Sequence, residues 1–301
     1  EVIAALRAAG LTAAPTGLDH GTVTGVADHV GVEITTLRAD VSTDGRRATV
    51  AFTKDWRVDA GRRDFRLNAT YLTFDGRLFD PVGGAEDAKA GRVRFIGEAA
   101  DRIREDYLRI LRFFRFSARF ARGFDAEGLA ACAALADGMD ILSAERIGGE
   151  FSRILAHANA ALAIDAMAAT GVLPRVWAAP ADRQTLRRLK ELDPDAPSPL
   201  GLAALFGGSA VSAGEPAAID RALRLSNADG ARRRKALESA AAVPGLDFRG
   251  GRRLLYRMGI EAYDDGLKLA EARGVGADFG RLRGALAEAP PAFPVAGRHV
   301  V

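Results

Sequence analysis

Residues 105–116 read EDYLRILRFFRF and hold the side chains whose types and spacing are best suited to chemistry. On one continuous helix, residues three apart are neighbours, so Asp106 and Arg109 would stand side by side as an acceptor and a forked donor. Such a pair can present a hydrogen-bonding edge to a nucleobase. The guanidinium donates in a fixed plane, and the carboxylate accepts from an exocyclic amine. Arg112, Arg115, Arg119 and Arg122 continue as a stripe on the neighbouring flank, a row of guanidiniums able to hold a triphosphate. The alternative is a solvated surface helix whose Asp106–Arg109 ion pair is worth under about 1 kcal/mol. Against it stands a charged face that is almost purely arginine over four turns, where a solvated helix mixes signs.

Three further stretches stand out. Residues 62–69, RRDFRLNA, read as a basic loop that runs into a strand. Residues 80–87, DPVGGAED, form a glycine-rich turn whose glycines permit close backbone approach to a ligand. That turn matches neither a Walker loop nor a dinucleotide fingerprint, which excludes both of those phosphate sites. Residues 145–155, ERIGGEFSRIL, follow Ser143 as an N-capped helix with acid in its first turn. A single cysteine, Cys132, excludes an internal disulfide and a cysteine zinc cluster. His20, His29, His157 and His299 are scattered without ligand spacing.

The elements that would position these residues change character near residue 100. Before it, the pattern is mixed: a helix over 1–10, strands over 22–26 and 31–38 joined through Asp-His-Val-Gly, a polar loop over 40–47 and a short strand over 49–52. A hairpin follows, with 69–74 and 78–79 flanking Asp75-Gly76, and then a short helix over 85–90. Glu33 lies on the second strand, on the face opposite Val32 and Ile34. After it, residues 101–122 carry one helical apolar stripe, and the chain stays helical to about 286, with breaks near 171–174, 194–199, 207–216 and 243–251. The proline-bearing tail, 289–301, is expected to be extended. Strands ahead of a helical array make the fold class α+β with an all-helical extension. Over 301 residues, 48% hydrophobic and 27% charged, the composition is that of an ordinary globular protein, and no apolar run approaches bilayer length. A formal charge of only +3 supports a polyanionic partner weakly, although the pI is about 9.2.

Taken in order, RRDFRLNA, DPVGGAED, EDYLRILRFFRF and ERIGGEFSRIL resemble the motif series of the bacterial-type tRNA nucleotidyltransferases and the related poly(A) polymerases, with matching order and spacing over residues 62–155. The likeness is strong over about 17–173. It implies a partial polymerase-β-like head over 1–100, a helical neck that recognises the nucleotide base over 101–175, and a helical RNA-binding body and tail over 176–301. Asp106 and Arg109 would then pair with the base edge of CTP or ATP. Arg112 and Arg115 would hold phosphates, and Arg63, Asp64 and Asn68 would contact sugar and phosphates. Residues 80–87 would couple head and neck, and residues 143–155 would buttress the base-reading helix. The implied reaction is attack of a tRNA 3′-hydroxyl on the α-phosphorus, with pyrophosphate leaving and two Mg²⁺ ions clamping the reaction.

The family's Gly-Gly-x-Val-Arg-Asp turn and its metal-binding Asp-x-Asp pair do not occur in residues 1–100. Glu33 is the one candidate here for a metal-facing catalytic carboxylate, and one carboxylate cannot replace three. The expectation is of a fragment cut at its beginning and at its end, itself inactive, whose catalytic aspartates precede Glu1. Arg66 stands where the family often has threonine, which places an extra arginine beside the nucleotide. Complete CCA addition, partial addition and poly(A) synthesis share these motifs. A non-catalytic RNA- or nucleotide-binding module is the alternative from another class. The expected partners are tRNA, CTP and ATP, with no membrane and no protein partner implied, in the cytoplasm.

Overall fold

In the computed structural model, which describes residues 1–18, 21–43, 48–208 and 217–288, Asp106 interrupts the helical stripe expected over 101–122. Its backbone is extended, at φ −159° and ψ 106°, and it ends one helix just before the next begins. The chain divides into two compact units. The first comprises residues 1–109 and 122–131, the second 110–121 and 132–301.

In the first unit, helix α1 (Val2–Ala8) leads into an antiparallel meander of β1 (Thr12–Gly17), β2 (Thr22–Ala27) and β3 (Val30–Thr35). β2 alternates, burying Val23 and Gly25 on one face, and Gly25 leaves room for the Leu6 side chain of α1. The β2–β3 turn is tighter than expected. Ala27 pairs with Val30, so Asp28 and His29 alone make the turn, both at positive φ as a two-residue hairpin loop of the primed type requires. β3 ends at Thr35, and Arg38 opens a separate hairpin of β4 (Arg38–Thr43) and β5 (Ala48–Phe52). The first half of the expected 40–47 loop, up to Thr43, is therefore strand, and residues 44–47 lie outside the described residues.

Helix α2 (Trp56–Gly61) is capped by Asp55, whose carboxylate accepts the Arg57 N–H at 2.8 Å. The RRDFRLNA stretch does not enter a strand directly. Phe65 makes an isolated antiparallel bridge to Phe95, with ring centroids 4.9 Å apart, and Arg66–Asn68 is a single 3₁₀ turn. The expected hairpin follows as β6 (Tyr71–Leu72) and β7 (Leu78–Phe79). Next come α3 (Gly84–Ala90) and α4 (Ala99–Glu105). Ala60, Phe65, Ala69, Val93, Phe95, Ala99 and Ile103 form this unit's main buried cluster.

Helix α5 (Leu108–Phe120) starts in the first unit and continues in the second, where Ile110, Leu111, Phe113, Phe114 and Ala118 are buried. The chain goes on as α6 (Ala126–Ala134), α7 (Ala144–Leu155), α8 (Ala160–Ala169), α9 (Leu173–Val176), α10 (Arg183–Leu192) and α11 (Ser198–Phe206). It continues through α12 (Ala218–Ala222), α13 (Asn227–Ala241), α14 (Phe248–Met258), α15 (Ile260–Ala272) and α16 (Phe279–Ala287). In α11 every residue from Pro199 to Phe206 is buried, which suits a helix apolar on all sides at the centre of a bundle. It packs against α7, α10, α13 and α15. Cys132, which follows directly on the first unit's last segment, is fully buried, and burial pushes its thiol pKa far up. Two expected breaks fall inside helices: Pro174 in the first turn of α9, and Gly250 and Gly251 within α14. Residues 209–216 and the expected extended tail, 289–301, lie outside the described residues.

Candidate nucleotide-binding site

The arginines of RRDFRLNA are organised by a residue outside that stretch. Asp59, on α2 and 1% exposed, accepts from Arg62 Nε at 2.9 Å, Arg63 Nε at 3.2 Å and the Tyr71 hydroxyl at 2.8 Å. The backbone N–H of Arg38 donates to it as well, at 3.0 Å. Burial alone would raise the pKa of Asp59. The Arg38 N–H, the Tyr71 hydroxyl and Arg62 outweigh that and hold it at about 2. Tyr71 is pushed up to about 12 by burial and by its bond to this carboxylate. Arg63 also stacks over the Tyr71 ring, 5.2 Å from its centroid, and donates Nη1 to the Asn68 carbonyl at 2.9 Å. The guanidinium expected to meet a nucleotide is thus held on three sides.

Asp64 and Asn68 are tied to each other. Asn68 Nδ2 donates to Asp64 Oδ1 at 2.6 Å, and the same oxygen accepts the Phe65 N–H at 3.0 Å. Together they brace the 3₁₀ turn. A further chain of bonds leads from that turn to Arg109. Arg102 donates Nη2 to the Arg63 carbonyl at 2.8 Å and Nη1 to Glu105 at 2.7 Å. Glu105 accepts from Arg109 Nη1 at 2.5 Å, and the same Nη1 reaches the Arg102 carbonyl at 2.8 Å. Arg63 and Arg109, 46 positions apart in the sequence, therefore belong to one hydrogen-bonded network inside the first unit.

Asp106 and Arg109 do not meet as i,i+3 partners within one helix, because the helix breaks at Asp106. Asp106 is instead the cap of α5: its Oδ1 accepts the Leu108 N–H at 3.1 Å and its carbonyl accepts the Arg109 N–H at 3.0 Å. In the second unit, Arg112 and Arg115 both lie over the Phe116 ring, at 5.5 Å and 4.5 Å from its centroid. Arg115 Nε also donates to the buried Glu150 at 2.6 Å, and Arg153 binds the other oxygen of that carboxylate at 2.9 Å. Glu150 belongs to α7, so α7 holds α5 at Arg115. Ser143 does precede α7, but its side chain makes no cap bond. Arg122 falls outside α5.

The DPVGG turn makes its close backbone approach to the protein rather than to a ligand. A Cβ on Gly84 would collide with the Arg66 carbonyl. Burial disfavours the charge on Asp80, yet the N–H groups of Ala85 and Gly84 hold its pKa below the ordinary value. Asp87, buried, takes Arg92 Nε at 3.0 Å, with the Arg66 guanidinium 3.9 Å away. The extra arginine thus faces Asp87. Glu33 is exposed on β3 opposite Thr24, and no group of three or more His, Cys, Asp or Glu able to hold a metal occurs among the described residues.

The residues that sequence reasoning missed are Asp59, Tyr71, Arg102, and the tethering roles of Glu105 and Glu150. Asp59 stands four before Arg63, and Glu105 four before Arg109, the spacing of helical ion pairs. That signal was available in both cases. Stability should register Asp59 directly. Because its folded pKa lies below the unfolded value of 3.8, its contribution is complete above that value and is lost as pH falls toward 2. Wild type is expected to lose about 2 kcal/mol across this window that Asp59→Asn does not lose, measured by urea unfolding at pH 5 and pH 2.5. Parallel pH curves for the two proteins would contradict the assignment.

A mixed head that braces arginines on short helices, followed by a helical array, defines a nucleotidyltransferase head with a helical extension. Residues 1–94 match the family model described as "Poly A polymerase head domain", and residues 124–177 match "Probable RNA and SrmB- binding site of polymerase A". Human mitochondrial CCA tRNA nucleotidyltransferase 1 is 51% identical over 148 residues, covering 48% of this chain and 34% of that protein. The Leuconostoc mesenteroides CCA-adding enzyme is 39% identical over 153 residues, covering 50% of this chain and 38% of that protein. The structure of the Bacillus stearothermophilus CCA-adding enzyme in complex with CTP superposes with a TM-score of 0.72 at 26% identity, over 96% of this chain and 73% of that one. Over these stretches the chain is similar to the tRNA nucleotidyltransferase and poly(A) polymerase family. Its matches span between a third and a half of the curated relatives' own lengths. Among the described residues, no helix is long and apolar enough to cross a membrane.

Proposed function

We propose that the chain serves template-independent nucleotidyl transfer, adding nucleotides from CTP and ATP to the 3′ end of tRNA, with the protein itself reading the incoming base. The observation that carries this reading is the network running from the Arg63 carbonyl through Arg102 and Glu105 to Arg109, at the helix start capped by Asp106. Fixed hydrogen-bonding groups at a helix start suit discrimination between base edges, since the geometry is set before the ligand arrives. Arg112 and Arg115 are assigned to phosphates, and Arg63, Asp64 and Asn68 to the sugar side. In the three-part division of residues 1–100, 101–175 and 176–301, these roles fall to the head and neck, and RNA binding to the body.

The relatives named above include one solved with CTP, which supports CTP as a ligand here. The family is generally dependent on divalent metal, and Mg²⁺ is the ion proposed. The described residues do not fit it: neither Glu33 nor any other carboxylate among them belongs to a group of three or more His, Cys, Asp or Glu able to hold a metal, so no step is routed through a metal. Poly(A) addition is the second reading, favoured by the descriptions of both matched family models. The buried single thiol of Cys132 suits a reducing compartment such as the cytoplasm.

The test is equilibrium titration with the four ribonucleoside triphosphates. CTP and ATP are expected to bind at least tenfold more tightly than GTP and UTP. Equal affinity for all four would remove base reading, and ATP preference without CTP binding would select poly(A) addition. Incorporation of labelled C and A into tRNA lacking its 3′ end, measured on the full natural protein, checks the transfer itself.

A further inference from the structure

Helix α2 and the β6–β7 hairpin of the first unit border a cavity of about 350 Å³, lined by Trp56, Thr73, Arg77, Leu78 and Phe79. None of these five residues belongs to the network that joins Arg63 to Arg109. The walls are aromatic. Trp56 meets Tyr71 edge-on, with ring centroids 4.8 Å apart and 88° between the planes, and meets Phe79 at 6.4 Å and 74°. Edge-to-face packing fixes the Trp56 ring, yet 43% of this residue stays exposed. Leu72, Phe74 and Leu78 of the same hairpin are exposed as well, Phe74 completely. So many bare apolar side chains on one short hairpin, beside a cavity, mark a surface that a partner covers. Two guanidiniums attend the same wall. Arg57 lies over the Phe79 ring, 5.6 Å from its centroid, and makes no ion pair among the described residues. Arg77 pairs with Asp75 at 2.7 Å, but both partners are exposed, so the pair is weak and a stronger anion can displace it. Asp55, the acid next to Trp56, is occupied as the cap of α2.

We propose that this cavity takes an unpaired base of a single RNA strand, stacked against Trp56, with the flanking phosphates on Arg57 and Arg77. The contact is separate from the residues assigned to CTP and ATP, and it rests on the reading that the chain acts on RNA. Every base has a π-face, so aromatic rings interleaved with cations grip single strands with little regard for sequence. Trp56 and Phe74 supply two such rings, and Arg57 and Arg77 supply the cations from two different elements. A free mononucleotide carries its phosphates at one end, whereas cations contributed by both α2 and the hairpin suit a strand that runs past the cavity. A duplex fits less well, because its bases are stacked inside and cannot reach an aromatic wall. A lipid surface also fits less well. Trp56, Leu78 and Phe79 line a concavity instead of standing out from it, and Asp75 would have to enter the membrane beside Phe74.

The test is fluorescence anisotropy with short labelled single-stranded oligo(A) and oligo(C), measured with and without saturating CTP. Phe74→Ser and Trp56→Leu are each expected to weaken binding about fivefold or more, the low end of what one stacked base contributes, and equally in both conditions. Trp56→Phe should keep most of the affinity. Arg57→Gln combined with Arg77→Gln should lower the slope of log affinity against log salt by about 1 to 1.5, as expected for two phosphates of a single strand. CTP affinity and urea midpoint should be unchanged in Phe74→Ser and in the glutamine pair, which shows that the fold survives. Oligonucleotide affinity unaltered by Phe74→Ser and Trp56→Leu would overturn the proposal, as would failure of the wild-type chain to bind the oligonucleotide, and either result leaves the CTP and ATP reading intact. Displacement of the oligonucleotide by an equal concentration of AMP or CMP would replace the strand with a mononucleotide and overturn the proposal too. So would a dimer in sedimentation that Phe74→Ser disperses, or anionic vesicles that bind more tightly than the oligonucleotide. Failure of the CTP titration alone would overturn the nucleotide reading and leave this contact standing.

Discussion

Gly84→Ala is expected to destabilise the first unit by about 3 kcal/mol or more, the upper end of what overpacking costs. The reason is backbone against backbone. A Cβ at residue 84 would collide with the Arg66 carbonyl, which is fixed because Asp64 and Asn68 brace the turn that carries it. A flexible side chain could move aside; a carbonyl inside a 3₁₀ turn moves only with the turn. The damage should therefore spread. Displacing Arg66–Asn68 shifts the Asn68 carbonyl that holds Arg63 and loosens the Arg63 carbonyl that holds Arg102. The measurements are urea midpoint and CTP affinity, and both should fall together. A neighbouring control, Gly83→Asn, keeps a residue tolerant of the positive φ of 78° and meets open space, so it should cost far less. Equal stability of Gly84→Ala and wild type would show that the close approach is not binding on the fold.

Arg109→Ala is expected to reduce discrimination between CTP or ATP and the other two triphosphates by about tenfold to a hundredfold, the range that one bidentate pairing contributes. Asp106→Ala should do the same, and it should also lower stability by about 1 kcal/mol through the lost cap on α5. Glu105→Gln separates holding from reading. It leaves Arg109 and Asp106 in place but replaces the charge-assisted bond at 2.5 Å with a neutral one, so selectivity should fall part of the way. Titrations with all four triphosphates give the ratios. Unchanged ratios in Arg109→Ala and Asp106→Ala would remove both residues from the base-reading role.

Much of the fold was legible from patterning. The hairpin around Asp75-Gly76, the helix ending at Gly91 and the helical array after residue 100 are where the sequence places them. What stayed hidden has physical causes. The break at Asp106 is masked because Ile103, Tyr107 and Ile110 keep a helical spacing across it, while the only local sign is an aspartate, a residue that favours caps. The arginine-only face of α5 looked functional because no acid shares the helix. The structure supplies acids from other elements: Glu105, whose spacing to Arg109 was legible, and Glu150, 35 positions from Arg115, which periodicity within one segment cannot report. Asp59 was missed because its helix has six residues, too few to show a period. The DPVGG glycines were read as space for a ligand when the neighbour is Arg66, a contact between stretches about eighteen residues apart that no local rule encodes.

The lone Cys132 gives this protein a built-in clock. Its thiol is sealed from solvent and its ionisation is suppressed, so an external thiol reagent cannot modify it while the surrounding helices stay closed. With no second cysteine to blur the signal, the rate of labelling counts how often the packing around Cys132 opens. Substitutions, nucleotides and RNA can then be ranked by how far each slows or hastens that opening, on a single chemical readout that needs no added probe and no catalytic turnover.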